Sequence, residues 1–544
     1  MESLATDIRA ISTRVLDFNN SEYASLITPV LVTLILPAAL WFLTRKKDAS
    51  SNEPPVAPYW IPYVGHLLDF LRDPGGLVRS LKKKYPNSPF TLIMMGTKFH
   101  VFSSPEAVST VFSRSRDYLF HPVVASMMKN GIALPEADQP KFEVPIAEFS
   151  SDQKDSRAFV EANHAVYVKY LSGRYVDATM EVYSRHFSDV LKQLLPDSSQ
   201  PAGKVIHLHE EMQKLVFFTS LSTFFGKRLQ PVYPEIWEDY KLVNNALYVG
   251  VRSNLAFTLQ PRAQKARSRL LAAFDRWVDT ELDDWDEKDG IWNEKWGLRL
   301  NWEREALLRQ HGFSLRGRSC SQASFLWVIW RSNAHACSII TNAAPMTTWL
   351  LINIIQSPSL LERFRAECQQ ARLSDPSDPS SVRFDMAQLK SSPFVQGVWK
   401  EALRLGSASA AARVLARDVE LQGYTLKRGS VVLLPVQLLH FDPDVFDDPH
   451  TFNPDRWIPG DEDDARTAQK QKRQNANLRP FGGGSGICSG RFVAEQEALL
   501  AAATLLTQCD FHVEAGQTFQ LNPRSLGIMS PLRDIRVRLT RRPA

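Results

Sequence analysis

The stretch from Phe481 to Ala494 reads FGGGSGICSGRFVA, and no other part of the chain constrains its fold and chemistry as tightly. Glycines at 482, 483, 484 and 486 precede Cys488, and Gly490 follows it. A backbone without side chains turns tightly and lets a flat partner come close to the sulfur. The run RFVAEQEALLAAATLL comes next with helical spacing, which sets Cys488 at the mouth of a helix. There the positive end of the helix dipole and the free N–H groups favour a thiolate. The loop therefore suits a metal-ligating thiolate. Two other readings stand beside it. A lone cysteine also serves as a small buried apolar residue. A glycine run can cradle phosphate, although the Lys-Ser/Thr that completes a P-loop is missing.

The other cysteines, Cys320, Cys337, Cys368 and Cys509, are scattered, and the total of five is odd. Neither a disulfide framework nor a paired-cysteine zinc site fits that pattern, so a reducing compartment is expected. A net charge of +5 over 544 residues is too mild and too dispersed for a nucleic-acid partner.

From Tyr23 to Thr44 the chain has no charged residue. That length matches the ~30 Å hydrocarbon core of a bilayer, and Pro29 and Pro37 are tolerated within a membrane helix. Trp41 marks one interface. Arg45, Lys46 and Lys47 come immediately after, which places the rest of the chain in the cytosol. A cleaved signal peptide is the weaker reading, because the span is too long and begins too late. The expected organisation is a lumenal N-terminus at 1–22, a transmembrane anchor at 23–44, a basic and proline-rich linker at 45–62, and one catalytic domain at 63–544. Pro54, Pro55, Pro58 and Pro62 stiffen the linker. No repeat or second linker divides residues 63–544.

Residues 324–357 are apolar on most sides, which predicts a helix at the centre of a domain, kinked or locally opened at Pro345. Arg331 and His335 argue against a second span. Strand signals occur at 90–94, 419–421 and 431–435. The fold class is mainly α with a minor β-sheet.

Phe481, Gly484, Cys488 and Gly490 form FxxGxxxCxG, which resembles the haem-binding signature of the cytochrome P-450 family. Glu401-Ala-Leu-Arg404 resembles that family's ExxR helix, and Arg456 in FNPDRW resembles its third partner. Taken alone, Glu401 and Arg404 would be an ordinary surface pair three residues apart. The order of anchor, proline hinge, central helix and these three motifs extends the likeness over residues 55–540. Within the family, EALRLGSASAAAR (401–413), LLHFDPDVFDDPHTFNPDRW (438–457) and GIMSPLRDIRVR (527–538) are most similar to the branch holding cholesterol 7α-hydroxylase and prostacyclin synthase.

The resemblance implies a P-450-like fold behind one N-terminal transmembrane helix in the endoplasmic reticulum membrane. It implies haem b with Cys488 as axial iron ligand, Phe481, Gly482 and Gly490 against the cofactor, and Arg413 on a propionate. It implies monooxygenation of a lipophilic polycyclic substrate, steroid- or terpenoid-like, in specialised metabolism or in sterol turnover. Dioxygen and NADPH would be used through NADPH–cytochrome P-450 reductase, with cytochrome b5 as a further electron donor. Asn342 and Thr341 fall where the family moves protons. Ala408, Ala410, Ala411, Ile528 and Met529 are expected along the substrate pocket, with a loop at 120–133 closing it. Lys470, Lys472, Arg473 and Arg491 would meet the reductase.

The chain also departs from the family pattern. Gly486 stands where an Arg or His is usual, and no WxxxR occurs near 160–180, leaving Lys169 or Arg174 as substitutes. Thr341 and Asn342 replace the common acid and threonine. Because the branch also contains an isomerase, a haem-thiolate isomerase or dehydratase that needs no external electrons is the alternative function.

Overall fold

The computed structural model describes residues 52–142, 154–195, 203–250, 255–327, 341–373, 382–408, 410–459, 465–484, 487–525 and 527–542. The expected anchor at 23–44 and the first part of the linker lie outside these residues, as do Arg331, His335 and Gly486. No helix among the described residues is long and apolar enough to cross a membrane.

The elements that carry the site run in this order: β1 (Phe90–Met94), β2 (Thr97–Val101), α1 (Pro105–Ser113), β3 (Tyr118–Leu119), α2 (His121–Asn130), α3 (Lys154–Leu171), α4 (Arg174–Leu194), β4 (Lys204–His207), α5 (Leu208–Phe225) and α6 (Ile236–Gly250). After them come α7 (Leu315–Trp327), α8 (Ala343–Ile355), α9 (Pro358–Gln370), α10 (Pro393–Gly406), β5 (Ala411–Leu415) and β6 (Val431–Leu434). The series ends with α11 (Ala465–Asn477), α12 (Arg491–Gln508), β7 (Cys509–Val513) and β8 (Arg536–Arg541). Helices dominate, and the sheets are small.

Ser-Pro dipeptides start three of these helices. Ser104, Ser357 and Ser392 each accept a backbone N–H of the first turn, and Pro105, Pro358 and Pro393 take a position where the missing N–H costs nothing. The two helices that frame the site are apolar all round and are buried accordingly. In α8 nearly every residue from Ala343 to Ile354 is buried, and in α12 so is the run from Gln496 to Leu506. They pack on each other, with α5 against α8 and with α4 and α9 against α12.

The larger sheet has the order β1-β2-β6-β5-β3, with β6 parallel to β2 and every other pair antiparallel. Its register sets Arg413 opposite Val432. A second sheet, β7-β8-β4, closes the C-terminus.

Two expectations need correction. Pro345 does not kink the middle of a helix: α8 begins at Ala343, so the proline lies in the first turn, where its ring and missing N–H are accommodated. The segment 120–133 is mostly the helix α2, with Val124, Met127 and Met128 buried. The described end of the proline-rich linker, expected to be stiff, is tied to the larger sheet. Ala57 N–H donates to the Thr91 carbonyl at 2.9 Å, Thr91 N–H donates to that of Pro55 at 2.8 Å, and Glu53 pairs with Lys98.

Candidate active site

The ExxR residues are no surface pair. Glu401 and Arg404 sit one turn apart on α10, and both are fully buried. Arg404 donates through Nη2 to Glu401 Oε1 at 2.7 Å and through Nε to Oε2 at 2.9 Å. Oε1 also accepts from Arg456 Nε at 3.0 Å and Asn453 N–H at 3.1 Å, while Oε2 accepts from Trp457 Nε1 at 2.8 Å. The rest of the Arg404 fork reaches the carbonyls of His440 and Pro449, at 2.8 and 2.6 Å. Such saturation is what makes a buried ion pair tolerable. His440, which sequence reasoning passed over inside LLHFDP, extends the network. Its Nε2 accepts the N–H of Arg479, at the entrance to the glycine loop, at 3.0 Å. Burial and the nearby Arg404 guanidinium pull its pKa down to about 3.

The loop then turns back on itself. Cys488 N–H donates to the Phe481 carbonyl at 3.1 Å, and Ile487 N–H to that of Gly484 at 3.2 Å. Gly484 has φ +66°, and a Cβ there would collide with the carbonyl oxygen of Phe112 at the end of α1. Gly490 caps α12, and Arg491 Nη1 holds the Cys488 carbonyl at 2.7 Å. Cys488, 4% exposed, opens on an apolar cavity. Phe481, Gly490, Trp399 and Leu403 line one side of it, and Asn342, Ala343 and Met346 of the α8 region another. Leu171 of α3, Ile528 and, from α12, Val493, Ala494 and Glu497 complete the wall. No three His, Cys, Asp or Glu side chains converge on a metal position among the described residues. A metal at Cys488 would have to bring most of its ligands with it.

Arg413, on β5, is 2% exposed, and no carboxylate faces it among the described residues. Its Nη1 donates to the adjoining Ala412 carbonyl at 2.8 Å, and its guanidinium lies 5.3 Å from the Phe112 ring and 5.0 Å from that of Phe120. Burial alone lowers its pKa. Phe112 is also what Gly484 rests on, so the same aromatic residue touches both the uncompensated cation and the cysteine loop.

The remaining expected residues divide. Asn342 reaches the cavity, its Oδ1 accepting from Ile528 N–H at 2.9 Å. Thr341 turns away toward α6, donating to Asn244 Oδ1 at 3.0 Å and lying 3.2 Å from the Tyr240 hydroxyl. Gly482 takes a left-handed φ of +73°. Of the five pocket candidates, Ile528 lines the cavity and the others do not. Ala410 is exposed, and Ala411 is buried within the sheet. Ala408 N–H is spent on the Gly527 carbonyl at 2.6 Å, and Met529 is held through its backbone by Gly406 and Trp349. Lys169 and Arg174 do not substitute for the missing helix cation, since Lys169 pairs with Glu303 at the surface and Arg174 stacks on Tyr175. Leu171, between them, is what α3 sends to the cavity. The Lys470–Arg473 run forms part of α11, with Lys472 and Arg473 exposed and Lys470 paired with Asp447. Besides His440, one cavity residue was missed. Glu497, in the second turn of α12, lines the same cavity, and its Oε1 has no hydrogen-bond partner among the described residues. Nothing in the run AEQEALL separates it from its neighbours.

A family model described as cytochrome P-450 matches residues 340–538, the stretch that holds α8, the Glu401 network, Arg413 and the cysteine loop. The chain is 25% identical to the cytochrome P-450 monooxygenase efuG of Hormonema carpetanum, over 94% of this chain and 95% of that protein. To the cholesterol 7-alpha-monooxygenase of Cricetulus griseus it is 24% identical, over 93% of this chain and 96% of that one. The solved structure of a retinoic-acid-bound cyanobacterial P-450 superposes with a TM-score of 0.64 at 19% identity, covering 91% of this chain and 100% of the other. With the buried ExxR network and the cysteine loop in the matched stretch, residues 340–538 are similar to the cytochrome P-450 family, and nearly the whole chain is similar to monooxygenases described by that name.

Proposed function

We propose that this chain binds haem b through Cys488 and inserts one oxygen atom of dioxygen into a lipophilic polycyclic substrate of steroid or terpenoid type. The observation that carries this reading is the buried thiol at the head of α12, opening on an apolar cavity walled by α8 and α10.

The residues present fit such a cofactor. The glycine loop leaves room for a flat ring beside the sulfur. Arg413 is a buried cation lacking a counter-ion among the described residues, which suits a propionate carboxylate. Cys488 would hold the iron, Arg413 a propionate, and Phe481, Gly482 and Gly490 the ring on the cysteine side. When bound, thiolate-ligated haem supplies the oxygen-activating centre. The chain's own part is positional. Ala343, Met346, Leu403 and Ile528 exclude water and offer a hydrocarbon surface. Asn342 stands at the cavity edge with its Oδ1 on the Ile528 N–H, and Thr341 lies behind it on the α6 side; with ordered water between them and the cavity, these polar groups would form the path by which protons enter.

The substrate class rests on the resemblance to the cholesterol 7α-hydroxylase branch, on the relative named for cholesterol and on the apolar walls. Electrons would come from NADPH through its reductase, with cytochrome b5 as a second donor. The exposed cations Lys472 and Arg473, with Arg491 near the cysteine, offer a basic face that steers an acidic partner. The uncharged run at 23–44 would anchor the chain in the endoplasmic reticulum membrane with its catalytic part in the cytosol.

The test is incubation of membranes carrying this protein and the reductase with a steroid and terpenoid panel. The expected product is heavier by one oxygen atom and depends on NADPH. A product formed at full rate with neither NADPH nor reductase would instead establish the isomerase or dehydratase reading.

A further inference from the structure

A second hollow, of roughly 400 Å3, lies between the 447–458 segment and α11 and shares no wall residue with the cavity at Cys488. Its size suits a small molecule. Gln474 of α11 lines it and is only 1% exposed, with Arg456, Ile458 and Gln471 beside it in the wall. Asp447, Asp448, Asp455 and Lys470 stand exposed around its edge.

The cations of this hollow are already matched. Arg456 Nε lies 3.0 Å from Glu401 Oε1, and Lys470 pairs with Asp447. Of the three aspartates, Asp455 meets Arg363 at 2.7 Å, and Asp448 has no ion pair among the described residues. The two glutamines spend their donors on the main chain. Gln471 Nε2 donates to the Ile458 carbonyl at 2.7 Å, and Gln474 Nε2 to the Val445 carbonyl at 3.4 Å. A carbonyl only accepts, so this contact sets the Gln474 amide with its oxygen at the other end. That oxygen, Oε1, is buried without a partner among the described residues, on a side chain that lines the hollow. The charge left uncommitted is therefore negative, and the buried atom left uncommitted is an acceptor.

An unmatched buried amide oxygen is costly, and the long Val445 contact offsets little of that cost. An aliphatic side chain at 474 would avoid it. The hollow thus calls for a donor with positive charge. A bare metal ion does not answer, because no three acidic or metal-binding side chains converge among the described residues. A primary ammonium does, with three N–H donors and no acceptor.

We infer that this hollow is a binding site for a primary alkyl diamine. One ammonium head donates to Gln474 Oε1, the hydrocarbon stem lies along Ile458, and the second head meets the Asp448 carboxylate. The site stands apart from the haem reading and needs no cofactor. Arg456, in the wall, also holds Glu401, so a bound diamine braces the network that fixes α10.

The test is calorimetric titration of the full-length protein with diaminobutane. Wild type should bind it saturably at one site. Asp448→Asn and Gln474→Leu should each weaken binding about tenfold or more, the loss expected for a hydrogen bond to a charged group. Butanediol, of equal length but uncharged, should not bind, and magnesium chloride at matched ionic strength should not displace the diamine. Diaminobutane should also raise the denaturant midpoint of wild type. Gln474→Leu, freed of its unmatched oxygen, should be no less stable than wild type without the diamine and should not respond to it. Absence of saturable binding, equal binding by both variants, or displacement by magnesium, which would mean simple screening of surface acids, overturns the inference. Should Gln474→Leu fail to fold, Asp448→Asn, changed only at the exposed edge, decides alone.

Discussion

Arg404 and Arg413 are nine residues apart in sequence and equally buried, yet their surroundings are opposite. Arg404 meets both oxygens of Glu401 and two backbone carbonyls within 2.9 Å. Arg413 has one adjoining carbonyl and two aromatic faces. The first site is electrostatically complete within the protein. The second is a cation buried at a cost, with no anion from the described residues to offset it. The difference separates architecture from proposed binding: the complete site holds α10 to the 440–457 segment, and the incomplete one is the cation proposed above to meet a propionate.

Substitutions can break that contrast. The largest effect belongs to Cys488→Ala, which should abolish haem retention and NADPH-dependent oxidation together. Thermal unfolding of the cofactor-free chain should barely move, because the sulfur makes no part of the Glu401 network. Retained haem with a thiolate-type carbon monoxide spectrum would disprove the ligand assignment. Next is Glu401→Gln, which removes the carboxylate that Arg404, Arg456, Trp457 and Asn453 share. Breaking a buried pair from one side costs about 3–5 kcal/mol, so denaturant unfolding should show that loss in the cofactor-free protein. Arg413→Leu should behave in the reverse way. The cofactor-free protein should be unchanged or more stable, while haem affinity falls by about 1.5–3 kcal/mol, the worth of a hydrogen bond to a charged group. If Arg413→Leu destabilised the cofactor-free chain as Glu401→Gln does, the two arginines would not differ in kind.

The sequence disclosed the complete site better than the incomplete one. Glu401, Arg404 and Arg456 lie in motifs with fixed spacing, and the structure brings all three together. Cys488 was legible because glycines and a helix start announce themselves locally. Ser-Pro helix starts and the apolar runs of α8 and α12 are likewise local signals. What lay hidden depends on pairing across the fold. Thr341 and Asn342 are adjacent in sequence, but α8 starts just after them and sends one toward α6 and the other toward the cavity. Ala408, Ala410 and Ala411 read as a small apolar wall, yet strand alternation and the bridge to Gly527 turn them to three different environments. Glu497 and His440 could not be singled out, because their roles come from burial among residues far away in sequence.

His440 joins the two regions, with its carbonyl on Arg404 and its ring on the N–H that opens the cysteine loop. Its pKa in the folded protein is pulled from the ordinary 6.5 to about 3, chiefly by burial. The unfolded chain therefore binds a proton in that window and the folded chain does not. Stability from this residue is fully present above pH ~6.5 and is lost progressively as pH falls toward 3, at up to ~1.4 kcal/mol per pH unit. Between pH 6 and 4 this one histidine should account for about 2 kcal/mol of acid destabilisation. His440→Gln can keep an acceptor for Arg479 but cannot titrate, so subtracting its unfolding free energies from those of the wild type isolates the effect. A difference that stays flat across that window would mean His440 is protonated in the fold, and that the loop entrance and the Arg404 network are not joined through a neutral ring.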